Sequence, residues 1–155
     1  MFKQICAAVI SLAAISSASA TNVDWYGNGV LTSVASCPNG AFDQSANKVF
    51  AARYMPPNLG TNGNISSLSF INPRWAVNFA HAGAFATTLQ TVGSTTVARS
   101  GGPSGYTVKL QVTRTPATIN ANTPMITLDG TITGFSGFPT NNNCTVNFSV
   151  TVFRP

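Results

Sequence analysis

The chain contains stretches in which apolar and polar side chains alternate, the pattern of a β-strand with one face in a core. In 144–153, the stretch around which the fold is expected to be organised, one face carries Cys144, Val146, Phe148, Val150 and Val152. The opposite face of this stretch carries Thr145, Asn147, Ser149 and Thr151. Stretch 106–113 shows the clearest alternation in the chain, so the pattern predicts two half-buried strands.

Other alternating or β-branched segments predict six further strands. They are 29–37, 48–55, 67–71, 75–81, 84–92 and 124–135. In the first of these, Leu31 and Ser33 are predicted to share a face. In the last, Gly130 is predicted to mark a bulge or a change of face before Ile132.

Turn-forming residues separate the predicted strands. Breaks occur at 38–40, at 56–57 and at 100–105, and the polar stretch 58–64 has a composition typical of a mobile loop. About eight strands, with no long amphipathic helix and no internal repeat, predict an all-β protein. The first-choice architecture is an antiparallel β-sandwich of about eight strands, and a small closed β-barrel is the second choice. A helix across 75–89 is an alternative for that segment, because alanine is frequent there.

The first twenty residues have the three-part pattern of a secretory signal peptide. Lys3 supplies the positive start, an apolar or small run extends from 5 to 15, and Ala18-Ser19-Ala20 is a cleavage signal. We therefore predict a signal peptide at 1–20 and a single domain at 21–155. The predicted location is secreted, periplasmic or at the cell surface.

Removal of the signal peptide leaves two of the three cysteines, Cys37 and Cys144. An even number of cysteines in an exported chain indicates a structural disulfide, because that compartment is oxidising. A redox-active pair would usually have C-x-x-C spacing, which is absent. The sequence therefore predicts a Cys37–Cys144 disulfide that ties the last strand to the first.

Charged residues make up only 7% of the chain, against roughly a quarter in an average soluble domain. Without Lys3, seven basic and three acidic residues give a net charge of +4, and the basic residues are scattered singly. Nucleic-acid binding normally uses clustered basic residues, so no nucleic-acid partner is expected. Integration into a membrane is not expected either, since several strands are short and aromatic girdles are not evident.

The chain is short of residues for catalysis or metal binding. His81 is the single histidine, there is no glutamate, and the aspartates are Asp24, Asp43 and Asp129. A Ser-His-Asp arrangement could recruit His81, but no serine lies in a G-x-S-x-G elbow. One histidine and an oxidised cysteine pair do not suit zinc, and no calcium-loop motif is present. We therefore expect no enzymatic activity, no metal and no cofactor.

Surface recognition is the remaining interpretation. Trp25, Tyr26 and Trp75 offer flat apolar faces, and Asn62 and Asn64 in the polar loop offer hydrogen bonds. An exposed Trp25-Tyr26 pair would suit sugar stacking or protein contact. A buried pair would plug one end of the core, which is favoured because large aromatic side chains are mostly buried. These five residues are the candidate ligand-binding residues, with a surface glycan or an envelope protein as the candidate partner.

The sequence as a whole predicts an exported, non-catalytic β-sandwich module with a binding or structural role at the cell envelope or outside the cell. One alternative is a subunit of a surface assembly, in which an edge strand pairs with a neighbouring molecule. Another alternative is a small secreted hydrolase or an inhibitor of one. The hydrolase would need a pocket that gathers His81 with an aspartate.

Overall fold

The computed structural model describes residues 23–37, 48–73, 75–98, 104–134 and 144–155. The predicted signal peptide at 1–20 and the turn at 38–40 lie outside the described residues. Within the described part, eight strands follow one another along the chain. They are β1 (Trp25–Ala35), β2 (Val49–Met55), β3 (Ile65–Ile71), β4 (Trp75–Ala82), β5 (Gln90–Ala98), β6 (Ser104–Thr115), β7 (Met125–Thr133) and β8 (Thr145–Phe153). No helix in this part of the chain is long and apolar enough to cross a membrane.

The eight strands form one closed antiparallel barrel, in which each strand pairs with its neighbours in sequence. β8 then pairs with β1, from Tyr26 opposite Phe153 to Ala35 opposite Thr145, and this pairing closes the sheet. The all-β class is therefore confirmed, and the second-choice barrel is formed in place of the first-choice sandwich. A sandwich would require the sheet to divide in two, whereas here the first and last strands pair along most of their length.

Apolar side chains fill the inside of the barrel. Its aromatic centre consists of Phe50, Phe70, Phe79 and Phe148, and the ring centroids of Phe50 and Phe70 are 4.3 Å apart. Aliphatic side chains surround these rings. They include Leu31, Leu68, Val77, Val92, Val108, Leu110, Val112, Ile126, Leu128, Ile132, Val146, Val150 and Val152. Withdrawal of this apolar surface from water is the main force that holds the barrel together.

A bulge in β1 changes which of its residues face the core. The register of β1 with β8 shifts between Leu31 and Ser33. As a result, Leu31 is buried, Ser33 is exposed and Val34 is half-buried against the core. The predicted shared face of Leu31 and Ser33 is wrong, because an extra residue in one strand reverses the alternation beyond it.

The bulge predicted at Gly130 is also wrong. β7 pairs regularly with both neighbours at this point, where Gly130 lies opposite Val112 and Phe148. Ile132 is buried on the same face as Leu128. The glycine makes room for an aromatic ring, since a Cβ atom at position 130 would lie 2.5 Å from Cζ of Phe148.

The strand predicted at 84–92 starts later than the sequence indicates. β5 runs from Gln90 to Ala98, and residues 84–89 form a connection that is hydrogen-bonded to β6. In this connection the Ala86 carbonyl accepts a hydrogen bond of 2.8 Å from the backbone N–H of Val112. The alternative helix across 75–89 does not form, because Val77 and Phe79 alternate into the barrel as part of β4.

The two ends of the barrel carry different features. β1 begins and β8 ends at one end, here called the terminal end, which also carries the β2–β3, β4–β5 and β6–β7 connections. At the opposite end, here called the disulfide end, Cys37 and Cys144 are bonded, with Cα atoms 4.1 Å apart. The predicted disulfide is therefore confirmed, and it is compatible with an extracellular location.

Candidate functional site

The residues singled out in the sequence do not come together at one site. Trp25, Tyr26, Asn62 and Asn64 lie at or near the terminal end, whereas Trp75 begins β4 at the disulfide end. Trp75 is half-buried against the core, and its ring centroid lies 5.8 Å from that of Phe50. Its position makes Trp75 part of the wall of the barrel at the opposite end from the other four.

The Trp25-Tyr26 pair divides between the inside and the outside of the barrel. Trp25 is fully buried, and its indole Nε1 donates a hydrogen bond of 2.8 Å to the carbonyl of Thr123 in the β6–β7 connection. It therefore plugs the terminal end of the core, as the favoured interpretation of the pair expected. Tyr26 is the next residue of β1, so its side chain points to the opposite face and is 48% exposed. The favoured interpretation is therefore wrong for Tyr26, because neighbouring residues of a strand face opposite sides of the sheet.

The asparagines of the β2–β3 connection hold that connection in shape. Asn62 donates a hydrogen bond to the carbonyl of Ile65, and Asn58 donates one of 3.5 Å to Oδ1 of Asn64. The backbone carbonyl of Asn64 also accepts a bond of 2.6 Å from Gly83 in the next connection. The side chain of Asn64 is exposed, whereas that of Asn62 is half-buried.

Three large apolar side chains lie next to one another on the outside of the terminal end. Tyr26 on β1 is opposite Phe153 on β8, and Phe153 is opposite Met125 on β7. Their exposed fractions are 48%, 52% and 47%. Together they form a continuous apolar surface, here called the Tyr26 face.

Sequence reasoning found Tyr26 but missed Phe153 and Met125. The signal for Phe153 was present, because it continues the outward-facing series Thr145, Asn147, Ser149 and Thr151. An aromatic residue on the polar side of an alternating strand is an exposed one. The neighbourhood of Met125 depends on the pairing of β7 with β8, which the alternation alone does not reveal.

An ion pair borders the Tyr26 face. Oδ2 of Asp24 accepts hydrogen bonds from the Arg53 guanidinium at 2.5 and 3.0 Å and from the Tyr26 hydroxyl at 2.9 Å. The guanidinium carbon of Arg53 lies 5.7 Å from the centroid of the Tyr26 ring, within cation–π range. The hydrogen bond to Asp24 raises the pKa of Tyr26, and a hydrogen bond to the same carboxylate raises the pKa of Arg53. The hydrogen bond to Asp24 and the Arg53 guanidinium beside the ring hold Tyr26 in place.

The residues considered for catalysis have separate environments. His81 is half-buried on β4, with Ser66 as its register partner on β3. Asp24 is engaged by Arg53 and Tyr26, and Asp129 is exposed on β7. Asp43 lies outside the described residues. In the ranges that the structure describes, no three His, Cys, Asp or Glu side chains are grouped to hold a metal ion.

No protein-family model, curated protein or solved structure matches this chain. The function is therefore inferred from the surface and interior of the barrel itself.

Proposed function

We propose that the chain is an exported, non-catalytic recognition domain that binds a component of the cell envelope or its surroundings through the Tyr26 face. The observation that carries the proposal is the side-by-side exposure of Tyr26, Phe153 and Met125 at one end of the barrel. Aromatic residues, methionine and arginine are the types enriched at the centres of binding surfaces. The Asp24–Arg53 pair holds Tyr26 in one orientation, which lowers the entropic cost of binding.

The filled interior supports a role for the outer surface. The rings of Phe50, Phe70 and Phe148 occupy the centre of the barrel, with the Phe70 and Phe148 centroids 5.0 Å apart. Barrels that carry a ligand inside need an interior that side chains leave open. Recognition at the outside is therefore the simpler function for this packed barrel.

The structure gives less support to a surface-assembly subunit that pairs with its neighbour through an edge strand. Each of the eight described strands is hydrogen-bonded to two neighbours, and a closed barrel has no edge to offer to a second chain. An assembly built from this domain would have to use side chains on the outer surface instead.

A binding screen tests the proposal. The mature chain, residues 21–155, is screened against a glycan array and envelope fractions of the producing cell, and its oligomeric state is recorded at the same time. Tyr26→Ala and Phe153→Ala should each weaken a saturable interaction about tenfold, a loss of about 1.4 kcal/mol. Val49→Ala is the matched control, because Val49 is 58% exposed on β2 near the disulfide end.

Two results would contradict the proposal. Equal weakening by Val49→Ala and Tyr26→Ala would show that the Tyr26 face is not the binding surface. Concentration-dependent polymers without any ligand would favour the assembly subunit.

A further inference from the structure

Three arginines lie at the terminal end of the barrel, each in contact with an aromatic residue of β1 or β2. Arg53 lies over the Tyr26 ring, and the Arg154 guanidinium carbon is 5.8 Å from the centroid of the Trp25 ring. Arg114 on β6 donates a hydrogen bond of 3.2 Å to the Tyr54 hydroxyl. The three are here called the arginine rim.

The β1–β2 pairing brings the three aromatic partners of these arginines together. Trp25 is opposite Tyr54, and Tyr26 is opposite Arg53 in the next register position. Arg114 and Arg154 therefore contact neighbouring aromatic residues although they are forty positions apart in the sequence. In the sequence these three arginines are scattered singly, and the pairing of strands in the barrel brings them to one end.

Positive charge exceeds negative charge around the arginine rim. Within the described residues the one ion pair is Arg53 with Asp24, so Arg114 and Arg154 have no carboxylate partner there. Nε of Arg114 is buried and makes no hydrogen bond. Among the described residues, four of the seven charged side chains lie at the terminal end, namely Asp24, Arg53, Arg114 and Arg154.

The unpaired arginines are nevertheless held in fixed positions. Arg114 donates a second hydrogen bond to the carbonyl of Ala117, and Arg154 donates one to the carbonyl of Ala121. Both carbonyls belong to the β6–β7 connection. A guanidinium has five N–H donors in a planar fork that matches an oxyanion. Arg154 uses one of them in the bond to Ala121 and keeps the others, whereas Arg114 uses both terminal nitrogens and its Nε is buried.

From this arrangement we infer that the arginine rim binds the carboxylate or sulfate groups of an anionic glycan, whose sugar rings lie on the adjoining Tyr26 face. The inference rests on the proposed function and names the ligand class for that surface. Each oxyanion would accept charge-assisted hydrogen bonds from Arg154 or Arg114, while sugar C–H groups pack on the Tyr26 and Phe153 rings.

The neighbours of the Tyr26 face favour a glycan over an acidic peptide. The next outward row of the sheet consists of Asn28, Thr151 and Thr127, which are register partners across β1, β8 and β7. Neutral hydrogen-bonding side chains beside aromatic rings suit a polyhydroxyl ligand. An extended peptide would most simply add to a sheet edge, and the described strands of this barrel leave none.

Four polymers test the inference with the oxidised mature chain, residues 21–155: dextran sulfate, polygalacturonate, neutral dextran and poly-L-glutamate. We expect binding to one or both anionic glycans and none to dextran or poly-L-glutamate. Binding should weaken as salt rises from about 0.05 M to about 0.5 M, because salt screens charges that are exposed to solvent. Preference between the two anionic glycans identifies the oxyanion as sulfate or carboxylate.

Arg154→Gln should weaken binding about tenfold, as expected for loss of charge-assisted hydrogen bonds. Lys109→Gln is the matched control, because it removes the same charge from an exposed position on β6 and should change affinity less than about twofold. Arg154→Lys should give an intermediate affinity, since it keeps the charge but loses the planar fork. Melting temperatures show whether each variant is folded.

Several outcomes would overturn the inference. Equal losses of affinity in Arg154→Gln and Lys109→Gln would show that the glycan responds only to the net charge of the protein. Binding of poly-L-glutamate as tight as that of the glycans would show that the arginine rim binds acidic peptides. No binding of either anionic glycan would also overturn it. Binding of neutral dextran alone, abolished by Tyr26→Ala, would overturn the anionic ligand but support the proposed function. Anionic binding that Tyr26→Ala leaves unchanged would instead contradict the proposed role of the Tyr26 face.

Discussion

At the scale of single residues, the terminal end depends on polar groups that are withdrawn from water. Tyr54 is 2% exposed, and its hydroxyl accepts a hydrogen bond from Arg114. Burial raises the pKa of Tyr54, because the phenolate would be a charged group inside the barrel, and Arg114 offsets this only in part. Ionisation of Tyr54 therefore opposes the folded state.

We expect this tyrosine to make the protein less stable at alkaline pH. Its folded pKa is raised above the unfolded value of about 10, so its stabilising contribution is complete below that pH and is lost as the pH rises through the folded pKa. Tyr54→Phe should therefore lose less stability than the wild type between pH about 9 and about 11, measured by urea unfolding. Tyr26→Phe is the control, because Tyr26 is half-exposed and should contribute less. Identical pH profiles for wild type and Tyr54→Phe would contradict this expectation.

At the scale of the strand, β7 shows how a glycine can serve packing and not a turn. Gly130 pairs regularly with both neighbouring strands. The space that a side chain would take is occupied by the Phe148 ring and by the Gln111 carbonyl. The ring of Phe148 also packs against Phe70 in the centre of the core, so it cannot move aside without cost.

Gly130→Ala should therefore destabilise the protein by about 1–3 kcal/mol, the range for overpacking of a filled core. The matched control is Gly93→Ala on β5, where the added Cβ would meet only the Ala80 carbonyl at 3.6 Å, an ordinary contact. Gly93→Ala should leave stability unchanged or raise it slightly, because alanine restricts the unfolded chain more than glycine does. Urea unfolding of both variants measures the difference. A Gly130→Ala variant as stable as Gly93→Ala would show that the Phe148 ring and the Gln111 carbonyl both have room to shift.

The strands were predictable where side chains alternate without interruption, as in β2 and β8. The prediction failed in β1, because a bulge after Leu31 leaves no mark in the order of apolar and polar residues. It failed at Gly130 because the reason for that glycine lies on another strand. Part of the Tyr26 face was predictable from Phe153 alone, but the arginine rim depends on pairing between residues that are distant in sequence.

At the scale of the whole molecule, alternation does not distinguish a barrel from a sandwich, because both place one face of every strand in the core. The difference lies in the pairing of β1 with β8, the one seam that joins distant parts of the chain. The Cys37–Cys144 disulfide lies directly beyond the last pair of this seam, Ala35 with Thr145. It therefore fixes the strands at which the barrel closes.

Removal of this bond should lower the stability of the oxidised protein strongly. The two cysteines are 107 positions apart, and for a loop of that size the chain-entropy model gives about 4–5 kcal/mol as an upper value. Cys37→Ser is a better test than Cys144→Ser, because Cys144 is fully buried and a serine there would bury a hydroxyl. The melting temperature of Cys37→Ser should lie far below that of the oxidised wild type and close to that of the reduced wild type. If oxidised wild type and Cys37→Ser melted at the same temperature, the β1–β8 pairing alone would be sufficient to close the barrel.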